Sequence, residues 1–567
     1  MRRTIQSAIP ALTSLLLVSE LFVGNVSSQT VDSLSVSNAE TSHSSAPLIY
    51  TAIPLPDGRT LVGGTTIQFI SSGGQAHTNL ARLNSDGSVD DSFKASIPGT
   101  TYDSATINCV TLLTNGQILV GGVFSMVSGQ SRYNIARLNA DGTLDAGFNA
   151  GYMDGSVNGI LVTPGGKILV CGSFTRINGT TCYGLCQLKN DGGLDPYFGA
   201  GANNSIMSVA LQPDGRILAE GTFTSIGGQS RTNLARLNAN GTIDASFQPA
   251  AFNYVANEGI GGFGGSVAVQ PDGKIIVGGM FARVNGFSHT NIVRFNVDGT
   301  LDSGFNAQAD LHDCWGLQTL TLQADGKILV GDDSLTLDGH MCPYLGRLQA
   351  DGSMDPGFST NLVSGEMVYS SVVQADGRIL VAGWFGSLGG ATRTGLGRLI
   401  NTDAATQSLS FDGTNVVWLR GGTSPELWRA AFEASTNGTD WSYLGDGSHT
   451  NGGWQLSNVI VPAGATIRAR GFIAAGRFNG SGWCVECVYP QAAPAIESSD
   501  GCLGFRSNQF GFHLCGSAGS TVVIEASSNL LDWSPVATNV LPGAPIYFSD
   551  PCANGEVRGF YRARLQE

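Results

Sequence analysis

Arginine and aspartate recur in this chain at one fixed spacing. Arg82, Arg137, Arg236, Arg294, Arg347 and Arg398 occupy equivalent contexts, and Asp90, Asp145, Asp195, Asp244, Asp302 and Asp355 recur in the run that follows. Where a copy has both, the Asp lies eight residues after the Arg, as in Arg137–Asp145, Arg236–Asp244 and Arg294–Asp302. Two chemistries fit this pattern. The stretch "NADGTLD" (Asn139–Asp145) crowds oxygen ligands as part of a calcium loop does, but it lacks the roughly twelve-residue spacing and the closing bidentate Glu. The alternative is a structural ion pair. In strand alternation Arg236 shares a face with Leu234, which sets its guanidinium between packed layers, where an unpaired charge is very costly. The ion pair is the stronger reading. One copy has Gln187 in place of Arg, so Asp195 needs another partner.

Other reactive residue types give no catalytic pattern. None of the seven histidines sits in a metal-ligand or nucleophile motif; HExxH, GxSxG and Walker-type loops are absent. Acid pairs such as Asp332–Asp333 suit glycoside hydrolysis only if they face a cleft. "CVEC" (Cys484–Cys487), with Cys502, Cys515 and Cys552 downstream, suits disulfides better than zinc. No catalytic residue, metal or cofactor is therefore expected. Eleven cysteines leave at least one thiol without a partner in the chain.

The elements that must hold these residues follow from an internal repeat. Turn glycines fall at Gly58, Gly116, Gly166, Gly215, Gly273, Gly326 and Gly377, a period of about fifty residues that marks an array or propeller. Each unit breaks into four short apolar runs, such as "VALQ", "RILAEGTF", "NLARLN" and "GTIDASF", joined at Asp-Gly or Asn-Gly hairpin turns. Four antiparallel strands of this length make one propeller blade. The expected fold is all-β: a seven-bladed β-propeller followed by two small β-sandwich-like modules. The seventh unit loses its last run after "TGLGRLIN", and "TVDSLSVS" (Thr30–Ser37), with Asp32, is expected to supply it.

The unit "LQPDGKILVGGxFxxxxGxxRxNLARLNxDGxLDxxF" resembles the bacterial delta-60 β-propeller repeat over roughly residues 48–401. The resemblance implies a secreted or surface propeller and carries no common catalytic set.

Chain organisation follows. "MRRTIQSAIPALTSLLLVSELFVGNVSSQT" has the basic start, short apolar run and small residues of a signal peptide, assigned to 1–28. The propeller is assigned to 29–403 and the modules to 404–490 and 491–567. The modules repeat each other, "FEASTNGTDWSYLG" matching "IEASSNLLDWSPVA" and "IRARG" matching "YRARL". Trp441 and Trp533 are expected as core anchors at a hairpin.

A net charge of −14 without a basic run excludes nucleic acid as a partner. No membrane span is expected in the mature chain. Specificity is expected in the loops between units, which vary while the strands do not. Their candidate ligand-binding residues are Tyr102, Asp103, Tyr152, Asp154, Tyr254, His312, Asp313, Trp315 and Glu366, aromatics beside carboxylates that suit a glycan or a protein. The leading expectation is a secreted, non-catalytic binding, adhesion or structural protein. The rival is an extracellular glycosidase or lyase using acidic residues at the channel mouth.

Overall fold

The computed structural model describes residues 30–565, except 36–38, 42–46, 100–103, 251, 254–263, 312–315, 333–334, 343, 361–366, 402, 463–464, 476–479, 490–494, 498–503, 507–508, 516–520, 529–530, 542–545 and 551–559. Within them the chain is all-β, with no helix. Each repeat has an antiparallel sheet of three strands, with a short hairpin between the second and third in units 2 to 7. In unit 4 these are Ile206–Leu211, Ile217–Gly221 and Leu234–Leu237. Their buried runs are continuous, as suits strands covered on both faces.

The fourth run of a unit departs from expectation. It touches its neighbour through one isolated bridge, such as Leu138↔Leu144 or Leu237↔Ile243, and goes no further. Its own Asp is the reason. Asp145 accepts the backbone N–H of Gly147, and Asp244 that of Ser246, so the chain turns after a single pair. Only unit 7 has a full fourth strand. Val31–Ser35 pairs antiparallel with Leu396–Leu399, where the sequence places it.

The first strands pack side by side in chain order, from Leu48–Pro54 in unit 1 to Met367–Val373 in unit 7, and the last also lies against the first. They run from a face of connecting loops to a face of tight hairpin turns, where glycines such as Gly116 (φ +84°) supply the left-handed residue. The first part of the C-terminal third, residues 405–489, sits over the turn face. Ala324 N–H donates to the Ser424 carbonyl at 2.8 Å, Glu426 N–H to that of Leu322 at 3.0 Å, and Gly482 pairs with Leu112. Leu427, Trp428 and Ile473 then close a small cavity of about 40 Å³ against Leu161, Ala210 and Leu320.

This third contains two groups of sheets. In residues 405–489 one sheet holds Ala405–Phe411 and Val416–Gly422, the other Arg429–Ser435 and Thr466–Ala475, with Trp418 fully buried and Trp454 nearly so. Further on, Gln509–Cys515 and Thr521–Ser527 lie in two sheets around Phe512, Val522 and Ile524.

Candidate functional site

The recurring Arg and Asp form one device, repeated around the array. Arg137 Nε lies 2.7 Å from Asp145 Oδ2; Arg82–Asp90, Arg236–Asp244, Arg294–Asp302 and Arg347–Asp355 have the same distance, and all these side chains are largely buried. The guanidinium also covers the Phe that ends the run: Arg236 lies 4.5 Å from the centre of Phe247 and Arg294 4.6 Å from that of Phe305. Its remaining N–H groups reach into the next unit. Arg137 Nη1 donates to the Asn190 carbonyl at 2.6 Å, Arg294 Nη1 to that of Ala350 at 2.6 Å, and Arg236 Nη1 to that of Val297. Four of these clamps thus fasten one unit to the Asp-Gly turn of its successor, and Arg347 reaches the side chain of Asn401 in unit 7 instead. Gly142 shows why that turn needs glycine: with φ +84°, a Cβ there would stand 2.8 Å from Phe93 of the preceding unit.

A second cation, not read from the sequence, completes the clamp. It comes from the residue after the first turn, the K or R of "PDGK" and "PDGR". Lys274 Nζ is 2.9 Å from Asp302, Arg59 Nη1 2.8 Å from Asp90, and Arg216 Nη1 3.5 Å from Asp244. This signal explains the exception in unit 3. With Gln187 in place of Arg, Asp195 is held by Lys167 Nζ at 2.7 Å. In unit 7 the acid arrives from the other end of the chain. Asp32 accepts from Arg398 Nη2 at 2.9 Å, with Arg378 at 3.3 Å. Burial opposes ionisation of Asp32, but hydrogen bonds from Arg398 and the Leu34 N–H, with the two cations, outweigh it and bring its carboxyl down to about 2. Asp244 and Asp302 are likewise at about 2; burial again opposes, and hydrogen bonds with the paired cations prevail.

The opposite carboxyl is Glu220. Its side chain is buried at 2 % exposure, and burial alone pushes its acid well above the usual carboxylate range. At the equivalent place in unit 2, Gly121 faces Val157 of the next unit so closely that a Cβ would stand 2.5 Å from it. Unit 5 has Gly264 at the position of Val157, by register with Gly279 and Gly172, and this makes room for the larger Glu220.

On the loop face the candidate residues fare unequally. Tyr102, Asp103, Tyr254, His312, Asp313, Trp315 and Glu366 lie outside the described residues. Tyr152 is 55 % exposed and meets Tyr133 edge-to-face at 5.0 Å. Tyr183, the counterpart of Tyr133 in unit 3, is 50 % exposed. Asp154 is engaged by its own scaffold. It accepts the Thr175 N–H at 2.7 Å and hydroxyl at 2.6 Å, and the Arg176 N–H at 2.8 Å. Asn203 accepts the Thr224 and Ser225 N–H groups in the same way and donates its amide to the Thr224 hydroxyl, so this is a loop anchor that tolerates either residue. Sequence reasoning also missed a set of residues where the first strands meet the loop face. Tyr50, Asn108, Asn158, Met207 and Tyr369 stand where a bulge skips one residue of a first strand. Tyr50 and Tyr369 meet edge-to-face at 4.7 Å, and Asn108 and Asn158 donate to the carbonyls of Val157 and Ile206.

Seven segments of the chain, 55–93, 113–148, 164–198, 212–247, 270–305, 323–358 and 374–400, match the family model described as "Domain of unknown function (DUF5122) beta-propeller". The seven matched segments coincide with the seven repeats of the array. No curated protein matches it. Among solved structures, one titled "Glycoside hydrolase" aligns at 12% identity over 78% of this chain and 99% of its own, with a TM-score of 0.23. The native conformation of E. coli alpha-2-macroglobulin aligns at 11% identity over 91% of this chain and 33% of its own, with a TM-score of 0.10. Likenesses that weak carry no argument about fold or activity.

The Arg–Asp clamps join neighbouring repeats, and the loops of the opposite face differ in sequence from unit to unit. Behind the turns, the C-terminal third has its own charged motif. Glu433 receives Arg468 Nε at 2.5 Å and has Arg470 at 3.5 Å, while Glu525 receives Arg562 at 2.7 Å and Arg564 at 2.9 Å. Arg468 stacks on Trp441 at 3.8 Å and Arg562 on Trp533 at 4.3 Å. The two Trp are therefore platforms for a paired guanidinium rather than core anchors; among the described residues Trp418 and Trp454 are the buried ones. Clefts of about 390 Å³, beside Trp428, Arg470 and Tyr443, and about 510 Å³, beside Glu426, His449 and Trp454, flank the junction with the turns. Among the described residues no three His, Cys, Asp or Glu side chains gather as a metal site requires, and no helix is long and apolar enough to cross a membrane.

Proposed function

We propose that this chain is an exported, non-catalytic binding protein. In this reading the seven repeats form a closed ring completed by Val31–Ser35, residues 1–28 direct export, and two β-sandwich modules follow at 404–490 and 491–567. The ligand is a glycan or an extracellular protein bound at the loop face. One observation carries the reading. The repeated charges are engaged in fastening units together, whereas Tyr152 and Tyr183 stand half exposed on the face whose sequence changes from unit to unit. Exposed aromatic rings supply contact area at low entropic cost.

The test is a glycan and polysaccharide array with the full chain, paired with hydrolysis assays on every retained ligand. Retention without product release, weakened at least tenfold by Tyr152→Ala with Tyr183→Ala, is the expected result. Release of shortened sugars would replace this reading with the glycosidase one. Retention of nothing would remove the glycan and leave a protein partner.

A further inference from the structure

Unit 3 departs from its siblings in two places that lie side by side. It has Gln187 where the clamp arginine belongs, and it has Cys186 one residue earlier and Cys182 four residues before that. Both cysteines belong to one apolar cluster, at 9 % exposure for Cys182 and 2 % for Cys186. Both are free thiols in this structure, and burial pushes the Cys186 thiol well above its usual value. The backbone between them is fixed: Cys182 N–H donates to the Thr175 carbonyl and Gly184 N–H to that of Phe174, both at 2.9 Å, and Gly184 takes φ +67°.

The sister units give the separation. Cys186 pairs with Val170 as Gly346 pairs with Val330 and Gly397 with Val381. A Cβ at Gly346 would lie 3.1 Å from Cβ of Cys342, and one at Gly397 3.5 Å from Cβ of Arg393. Cys342 and Arg393 are the counterparts of Cys182. A cystine holds its two Cβ atoms about 3.5–4.5 Å apart. The backbone of the repeat therefore brings this pair of positions to the short end of a cystine's separation, at its limit in unit 7 and about 0.4 Å inside it in unit 6.

We propose that Cys182 and Cys186 form a disulfide within the third repeat, a covalent modification that fixes Tyr183 between them on the loop face. The oxidant is a small-molecule disulfide such as oxidised glutathione. Cys182, the more exposed thiol, loses its proton and attacks the oxidant, forming a mixed disulfide and expelling one thiolate. Cys186 then loses its proton and attacks Sγ of Cys182, expelling the second. Two protein thiols and one small disulfide become one protein disulfide and two small thiols. The cross-link shortens the chain's freedom on either side of Tyr183, so the ring is presented already ordered.

The experiment uses the full, unaltered chain incubated with oxidised glutathione, then denatured, alkylated without reduction and digested with trypsin. Cleavage after Arg176 and Lys189 isolates both cysteines in one peptide, residues 177–189. The expected peptide is unalkylated and two hydrogens lighter than the dithiol, and it takes two alkyl groups after reduction. Two alkyl groups without reduction, a glutathione adduct retained on either cysteine, or a link to another peptide would each overturn the proposal. Because the oxidant is supplied, the outcome is separate from whether the chain is exported and from whether the loop face binds a glycan.

Discussion

Arg236 makes an ion pair, a ring contact and a bond to the next unit at once, so its removal strips several partners together. Arg236→Met is expected to cost about 3–5 kcal/mol, because Asp244 is left buried with the more distant Arg216 as its counter-charge. Adding Asp244→Leu to the same chain should recover part of that loss; urea unfolding of the single and double variants measures both. Glu220 gives a prediction of opposite sign. Its folded-state acid lies well above its ordinary value, so its contribution is full below about pH 4.3 and is lost as pH rises above that value. Glu220→Gln should leave stability unchanged at pH 4 and raise it at pH 8, read as thermal midpoints at the two values. The ion pairs were legible as eight-residue spacings. The neighbouring Lys and Arg were not, because a residue after a turn reads as ordinary solvated charge until the fold brings it to Asp302 or Asp90.

At the scale of elements, strand positions and hairpins were open to reading because apolar runs and Asp-Gly turns are local signals. The origin of the last strand was legible through a single residue, Asp32, standing in a familiar setting. The curtailed fourth run was not, since an Asp that caps its own turn looks in sequence like an Asp that continues a strand. Trp441 and Trp533 misled for a similar reason. A Trp signals bulk, while the stacked Arg468 and Arg562 come from a strand some thirty residues away in sequence. Asp32→Ala tests the last strand. It strands the buried Arg398 and loosens Val31–Ser35, and should lower the denaturation midpoint by at least as much as an Asp244→Ala change inside one unit. A smaller effect would mean that the terminal strand adds little to the array.

The whole molecule concentrates its charge pairs where acid can reach them together. Asp32, Asp244 and Asp302 have carboxyls at about 2, below the ordinary aspartate value of about 3.9. Their contribution is therefore full above about pH 4 and is lost as pH falls toward 2. Thermal midpoints at fixed ionic strength should hold from pH 7 to 4 and drop steeply between 4 and 2. The docking of the C-terminal third was invisible in the sequence, because Leu427, Trp428 and Ile473 meet the first strands only once both parts are built. Ending the chain at residue 403 should uncover that apolar patch, seen as increased binding of a hydrophobic dye and earlier aggregation on heating.

The bond between Asp32 and Arg398 joins residues 366 positions apart. A polypeptide growing from its N-terminus makes Asp32 long before any guanidinium exists to receive it. Earlier units can stack as they emerge, since each clamp looks only to the next unit. The seventh must wait, and during that interval Val31–Ser35 has no strand to pair with and offers its edges to any passing chain. Contacts of such long separation are slow to form. Synthesis rate, and whatever shields an unfinished array, would then govern the yield of folded protein more than the strength of any single clamp.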